Sequence, residues 1–389
     1  MDQQLRPGRS AAILPGARPT RAVRLSRAET VCRDRATMLP MASGHVTRGG
    51  AAGWLTRITT ATILSAGLVA NAVPVAAHGS VPAAPPDAGT LVLGWTFPPL
   101  PTLGLAVAAG LWLLAVRRVN GRHPANPVPR RRTVAFLLGA LAIGFALGSG
   151  IERYDTTLFS VHMIQHVLLV LVAAPLVALA APITLLLRVS SRATRRRWLL
   201  PILHARLVRV LTFPVVAWIV FAGVMWASHF SGFFDLALED PIVHDLEHGL
   251  FLASALLFWW PAIGLDPAPW RLGFPARIAY VFLQMTQNTF LAVVLLNAST
   301  ALYPHYASLG APYGMDALAD QRLAAGVMWL AGDAIFLAAI MLLVAAWMRA
   351  EHRDQPRVDR QADLDLARIR VRERRLADRL AEEPGEARR

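Results

Sequence analysis

Two pairs of histidines are the residues of this chain best suited to chemistry. His162 and His166 are four positions apart, and so are His244 and His248. Four positions make about one turn of a helix, so each pair directs two imidazoles toward one spot. Imidazole nitrogens bind copper, zinc and iron, and this spacing is used in helical metal sites. The sequence therefore predicts that two facing helices hold a metal ion between them.

Further side chains near the two pairs are candidate contributors to such a site. His229 is a second-tier imidazole ligand, and the thioethers of Met163 and Met328 favour Cu(I), although each methionine is also explained by core packing. Asp333 is expected near the middle of an apolar segment, either as a proton- or ion-carrying group or as a neutral, hydrogen-bonded one. Three polar residues are predicted to orient the imidazoles: Gln165, Asp245 and Glu247.

The histidine pairs leave other interpretations open. Haem takes axial ligands from opposite helices, so one histidine of each pair could serve a membrane b-type cytochrome. A copper transporter that uses Asp333 and the methionines as an inward path is another alternative. Histidines at a membrane interface also form ordinary hydrogen bonds with neighbouring carboxylates and backbone groups.

The elements that must position these residues are membrane helices. The 389-residue chain is 55% hydrophobic and 16% charged, whereas soluble domains carry about a quarter charged residues. Its single cysteine, Cys32, excludes a disulfide framework and a cysteine-based metal site. The predicted fold is an all-α, polytopic bundle of seven transmembrane helices over residues 98–348. Each predicted segment is near the roughly 20 residues that cross a bilayer: 98–116, 133–150, 158–187, 211–228, 242–263, 276–299 and 321–348.

The arginines indicate how these helices are oriented. The net charge is +14, and every basic residue is arginine. Segments 117–132 and 188–209 carry six and seven arginines, whereas the loops on the opposite side are mainly acidic. By the positive-inside rule, the mature N-terminus is outside and the C-terminus is cytoplasmic. Both histidine pairs then lie at the extracytoplasmic end, and arginines in short loops do not indicate nucleic-acid binding.

The sequence on either side of the predicted bundle has four parts. Residues 1–57 form an Arg-rich arm, which a translation start at Met41 would shorten. Residues 58–77 are predicted to be a signal peptide that ends near an A-x-A-like site, with an uncleaved helix as the alternative. Residues 78–97 are predicted to be an exported linker. Residues 349–389 are predicted to be a charged cytoplasmic tail, either a solvated helix or disordered.

Distinct sequence blocks follow one another through the predicted bundle. They are His162-Met163-x-Gln165-His166, Ala174-Pro175, Ala181-Pro182, Glu247-His248-Gly249, Phe258-Trp259-Trp260-Pro261, Asp320-Gln321 and Gly326-x-Met328-Trp329. In this order they resemble the CtaG family of cytochrome c oxidase assembly factors, in its caa3-type branch, over about residues 98–350.

The resemblance implies a multi-pass protein of the bacterial plasma membrane that is not an enzyme. Members of this family help to form an active haem–copper oxidase, so the expected partners are oxidase subunits and the lipid bilayer. We therefore expect His162, His166, His244 and His248 to hold copper for transfer to an oxidase. Transfer requires a weak or open coordination position, because a closed four-ligand site stores its metal.

Overall fold

The computed structural model describes residues 81–382, and every regular element in that range is helical. The α-helices are α1 (Ala88–Leu93), α2 (Pro99–Arg122), α3 (Arg130–Gly148), α4 (Gly150–Tyr154), α5 (Phe159–Val167), α6 (Ala174–Ala180), α7 (Pro182–Val189), α8 (Arg192–Thr194), α9 (Leu200–Leu203), α10 (Arg206–Leu211), α11 (Pro214–His229), α12 (Phe233–Glu239), α13 (Pro241–Ile263), α14 (Phe274–Leu296), α15 (Pro304–Ser308) and α16 (Ala317–Glu382). Leu168–Ala173 and Arg195–Leu199 are π-helical, and Pro312–Gly314 is a 3-10 turn.

The predicted all-α membrane bundle is confirmed, with one difference in the count of spans. Six stretches of the described chain are long and apolar enough to cross a bilayer as single helices. The fourth predicted segment, 211–228, appears as α11, which has only 16 residues. It continues into α12 after a bend of 68°, and the bundle has seven spans when this bent pair is counted as one. The chain turns at Phe230-Ser231-Gly232, which lies between the two helices.

The span that carries the first histidine pair changes its helical register. It runs from α5 through the π-helical Leu168–Ala173 into α6. Proline has no N–H, so Pro175 cannot donate to the carbonyl of Val170 in the π register. The indole Nε1 of Trp259, in α13, donates to that carbonyl oxygen instead, at 3.0 Å. This hydrogen bond connects the π-helical turn, which directly follows the histidine pair along the span, to the neighbouring helix α13.

The core of the bundle lies between α5, α11, α13, α14 and α16, whereas α2 has most of its surface exposed. The pair α14 and α16 is closely packed: a Cβ on Gly332 would lie 2.7 Å from the side-chain nitrogen of Asn288. At the edge, α2 stacks Trp112 on Phe136 of α3 with ring centroids 4.1 Å apart. Exposed apolar side chains on the outer helices are what lipid contact requires.

The two ends of the chain differ in what the structure describes. The predicted Arg-rich arm (1–57) and signal peptide (58–77), with the alternative start at Met41, lie outside the described residues. The described part of the predicted linker contains α1, whose N-terminus is capped by the side chain of Asp87. The tail continues α16 as one helix, and its residues beyond 350 are exposed as far as 380. The last seven residues of the predicted tail, 383–389, lie outside the described residues.

Candidate metal centre

The two histidine pairs meet at the same end of the bundle, where α5 and α13 both begin. The Nε2 atoms of His162 and His166 are 2.9 Å apart. Across the helix interface, the ring centroid of His162 lies 5.4 Å from that of His244, and the centroid of His166 lies 5.9 Å from that of His248. All four side chains are buried. The four predicted ligands therefore form one cluster.

Two buried carboxylates join this histidine cluster. One oxygen of Glu247 lies 3.7 Å from Nε2 of His162, and one oxygen of Asp155 lies 3.9 Å from Nε2 of His244. Within the described chain, neither carboxylate receives a hydrogen bond through its side-chain oxygens. Unsatisfied buried carboxylates are costly, and each such group calls for an ion, a proton or water to explain it.

The charge state of Asp155 follows from its position in the turn between α4 and α5. Burial, and secondly the nearby carboxylate of Glu152, raise the pKa of Asp155 well above its usual value. The side chain therefore retains its proton at pH values where an exposed aspartate is ionised. A cation at the cluster would favour the ionised form and displace that proton.

A polar chain fixes the orientation of one imidazole. The side-chain oxygen of Gln165 lies 3.0 Å from Nε2 of His248. Its amide nitrogen donates to Glu152 at 2.7 Å and to the carbonyl of Ala146 at 3.0 Å. Because the amide of Gln165 is held from two sides, its oxygen is available to accept from Nε2 of His248. That assignment leaves Nδ1 of His248 as the nitrogen with the lone pair.

The first turn of α5 is held in place by a residue of another helix. The carboxylate of Asp320, in α16, accepts hydrogen bonds from the backbone N–H of Phe159 at 2.6 Å and of Ser160 at 3.4 Å. Those N–H groups begin a helix and have no partner within it. Next to it, Gln321 bonds the backbone of Leu302 and of Leu295. The Asp-Gln block thus positions the helix that presents His162 without supplying a ligand.

Aromatic rings pack against the histidine cluster. The ring of Phe251 lies 4.2 Å from that of His166, and the ring of Phe234 lies 4.9 Å from that of His162. Phe234 belongs to α12, so the bend after α11 places this ring over the histidines. Apolar walls reduce the local polarity and strengthen electrostatic interactions inside them.

The other predicted site residues do not all join the cluster. Asp245 is exposed on α13, whereas Gln165 lies beside His248 and Glu247 beside His162. Met163, Met328 and His229 line an adjoining cavity. Asp333 lies away from the cluster, where it accepts hydrogen bonds from Asn288 and Thr289.

Sequence reasoning missed two carboxylates, Asp155 and Glu152. Both follow the second predicted segment, 133–150, where they counted only as acidic loop residues that indicate topology. The available signal was their three-residue spacing, which places both on one side of a helical turn. The burial of both side chains is visible only in the folded bundle.

The donor set fits a metal ion. Bonds of about 2 Å from nitrogen or oxygen place neighbouring donors roughly 3–3.5 Å apart. The measured separations at His162, 2.9 Å to His166 and 3.7 Å to Glu247, lie close to that spacing. Two groups have one donor atom per residue with all donors within 4.8 Å of one another: Asp155 with His244 and His248, and His162 with His244 and Glu247.

Fold and cluster together define a multi-pass membrane protein with a buried histidine–carboxylate centre at one end of its bundle. The chain belongs to the cytochrome c oxidase caa3 assembly factor family, whose model matches residues 110–350. The resemblance to this family is thereby confirmed. The protein is a multi-pass protein of a bacterial membrane, in a family of assembly factors for cytochrome c oxidase.

Individual relatives come from mycobacteria. An uncharacterised protein of Mycobacterium bovis and one of Mycobacterium tuberculosis are each 33% identical over 294 residues, which is 73% of this chain and 44% of theirs. A Mycobacterium leprae protein is 32% identical over 272 residues, 68% of this chain and 40% of its own. The chain thus spans less than half the length of these curated relatives. No solved structure matches it.

Proposed function

We propose that this protein binds a copper ion at the histidine–carboxylate cluster and passes it to a subunit of a haem–copper oxidase during assembly. The observation that carries the proposal is the convergence of His162, His166, His244 and His248 with two buried carboxylates that lack hydrogen-bond donors in the described chain. Membership of a cytochrome c oxidase assembly family supports copper as the cargo.

The arrangement of donors supports delivery rather than storage. Nitrogen and oxygen donors outnumber the four that a closed tetrahedral site uses, and Gln165 already engages one nitrogen of His248. A copper ion can therefore exchange one donor for another without leaving the cluster. Exchange of donors is what transfer to an acceptor site requires, because an incoming ligand must replace a bound one.

The packing of the imidazoles favours a bare ion over a haem. The rings of His162 and His166 have centroids 4.2 Å apart, and those of His244 and His248 have centroids 4.3 Å apart. His162 also faces His244 with their ring planes inclined by only 22°. A porphyrin held between axial ligands would have to separate these mutually packed rings.

The experiment is metal and optical analysis of the full-length protein, purified in detergent from cells grown with copper. We expect bound copper and no Soret band, and loss of the copper that the cluster binds when His162, His166, His244 and His248 are all replaced by alanine. The matched control replaces histidines elsewhere in the chain, His123, His204 and His352, and should keep its copper. Copper stoichiometry that is unchanged by the four-histidine replacement, or haem in place of copper, overturns the proposal.

A second measurement concerns the oxidase. In cells that lack the endogenous gene, we expect the wild-type protein and the control variant to restore cytochrome c oxidase activity and the copper content of the oxidase. The four-histidine variant, present at the same level in the membrane, should restore neither. If the oxidase acquires its full copper in cells with that variant, oxidase assembly does not depend on the histidine cluster, and the proposal is wrong.

A further inference from the structure

A small cavity lies next to the histidine cluster, on the side that faces the opposite end of the bundle. It has a volume of about 20 Å³ and is lined by residues of α5, the π-helical turn, α11, α14 and α16. A single buried water needs about 10–15 Å³, so the cavity has room for one small occupant. Its sulfur and imidazole lining comes from three methionines and two histidines: Met163, Met225, Met328, His166 and His229.

The three thioethers come from three different helices. Met163 belongs to α5, Met225 to α11 and Met328 to α16, and each is more than nine-tenths buried. Their neighbours in the lining are mainly apolar, with the amides of Gln284 and Asn288 on one side. Among the described residues, no carboxylate lines this cavity, in contrast to the histidine cluster. An uncharged set of donors suits a singly charged ion better than a doubly charged one.

His229 offers a nitrogen to this cavity. Its Nδ1 lies 2.7 Å from the carbonyl oxygen of Met225, and a carbonyl can only accept, so Nδ1 carries the proton. The lone pair is then on Nε2, which is buried and has no hydrogen-bond partner in the described part of the chain. An imidazole whose Nδ1–H is held by a backbone carbonyl is typical of metal-binding histidines.

We propose that this cavity is a second copper site, specific for Cu(I), formed by Met163, Met225 and Met328 with Nε2 of His229. Thioether sulfur is a soft ligand that selects Cu(I) over harder divalent ions. His166 belongs both to the histidine cluster and to the cavity lining, so the two sites adjoin. The inference rests on the proposed function for the identity of the metal, which stays Cu(I) with no change of redox state.

The test is anaerobic titration of the full-length detergent-purified protein with Cu(I) and a chromogenic chelator, combined with X-ray absorption at the copper edge. We expect two bound Cu(I) ions per chain and sulfur among the scatterers. Replacement of Met163, Met225 and Met328 by leucine should remove one ion and the sulfur signal while the protein remains folded, because leucine conserves volume. The matched control, with Met285, Met341 and Met348 replaced by leucine, should retain both.

A second variant separates this inference from the proposed function. With His162, His244 and His248 replaced by alanine, His166 and His229 remain, and we expect one sulfur-bound Cu(I) to persist. Its persistence alongside an oxidase that still receives copper would sink the proposed function and leave the second site standing. Unchanged stoichiometry in the triple leucine variant, or nitrogen and oxygen as the only scatterers in the wild type, overturns the second site.

Discussion

The carboxylate of Asp320 accepts a hydrogen bond from the backbone N–H of Phe159 across 161 positions of sequence. This bond connects the first turn of α16 to the first turn of α5, three residues before His162. The position of the first histidine pair therefore depends on a helix that contributes no imidazole to the cluster. This bond gives the Asp-Gln block a structural role, because loss of the Asp320 side chain would release the first turn of the helix that carries His162 and His166.

Replacement of Asp320 by alanine is expected to destabilise the protein by about 2–3 kcal/mol, because a buried backbone N–H loses its acceptor. Asp316→Ala provides the comparison: Asp316 caps α16 at an exposed position, where it accepts from Leu318 and Ala319. The loss of that exposed cap costs about 1 kcal/mol. Thermal unfolding in detergent measures both. Equal losses of stability in the two variants would show that the bond to Phe159 contributes no more than the exposed helix cap.

Gln165→Leu is expected to weaken copper binding by about 10–100-fold, the usual effect of removing a residue that orients a ligating histidine. The leucine fills a similar space but cannot hold His248 or bond to Glu152. Competition with a copper chelator measures the affinity. The control is Asn297→Leu, which removes an exposed amide from the end of α14. An unchanged affinity in Gln165→Leu would remove Gln165 from the site.

Copper affinity is expected to rise with pH, and Asp155 should account for part of the slope. Its pKa is raised by burial, so the metal-free protein holds a proton there that copper must displace. Each displaced proton makes the affinity rise by about tenfold per pH unit below the pKa of the group that loses it. Asp155→Asn keeps the shape and has no such proton, so its plot of log Kd against pH should be shallower. Parallel plots for the two proteins would contradict this assignment.

The predicted orientation places the histidine end of the bundle outside the cytoplasm. Single cysteines introduced at Ser308 and at Ser191, both exposed, report on the two sides in a Cys32→Ala background. A membrane-impermeant maleimide added to intact spheroplasts should label Ser308→Cys and leave Ser191→Cys unlabelled until the membrane is opened. Labelling in the reverse pattern would place the cluster on the cytoplasmic side and exclude delivery to an extracytoplasmic copper site.

The sequence predicted the spans and the histidine pairs because both depend on local spacing. Apolar length gives the membrane helices, and four-residue spacing gives two imidazoles on one face. Which helices are neighbours depends on packing between distant segments, so the meeting of His162 with His244 was a hypothesis until the fold was known. The contact between Asp320 and Phe159 and the burial of Asp155 arise in the same way. Pairwise spacing also gave no sign that Met163 and Met328 face a cavity shared with His229.

The length of α16 has a mechanical consequence. Residues 349–382 continue the helix of the last span, and at 1.5 Å per residue they extend about 50 Å; those from 351 to 380 are exposed. A partner bound at the far end of this helix would be held at a fixed distance from the bilayer, rather than on a flexible segment. Asp320 and Met328 belong to the first part of the same helix, so a twist applied to its distal end would be transmitted toward the histidine cluster and the adjoining cavity. Pro356, near the start of the exposed part, removes one backbone hydrogen bond of the helix. The helix should therefore bend most easily at that point.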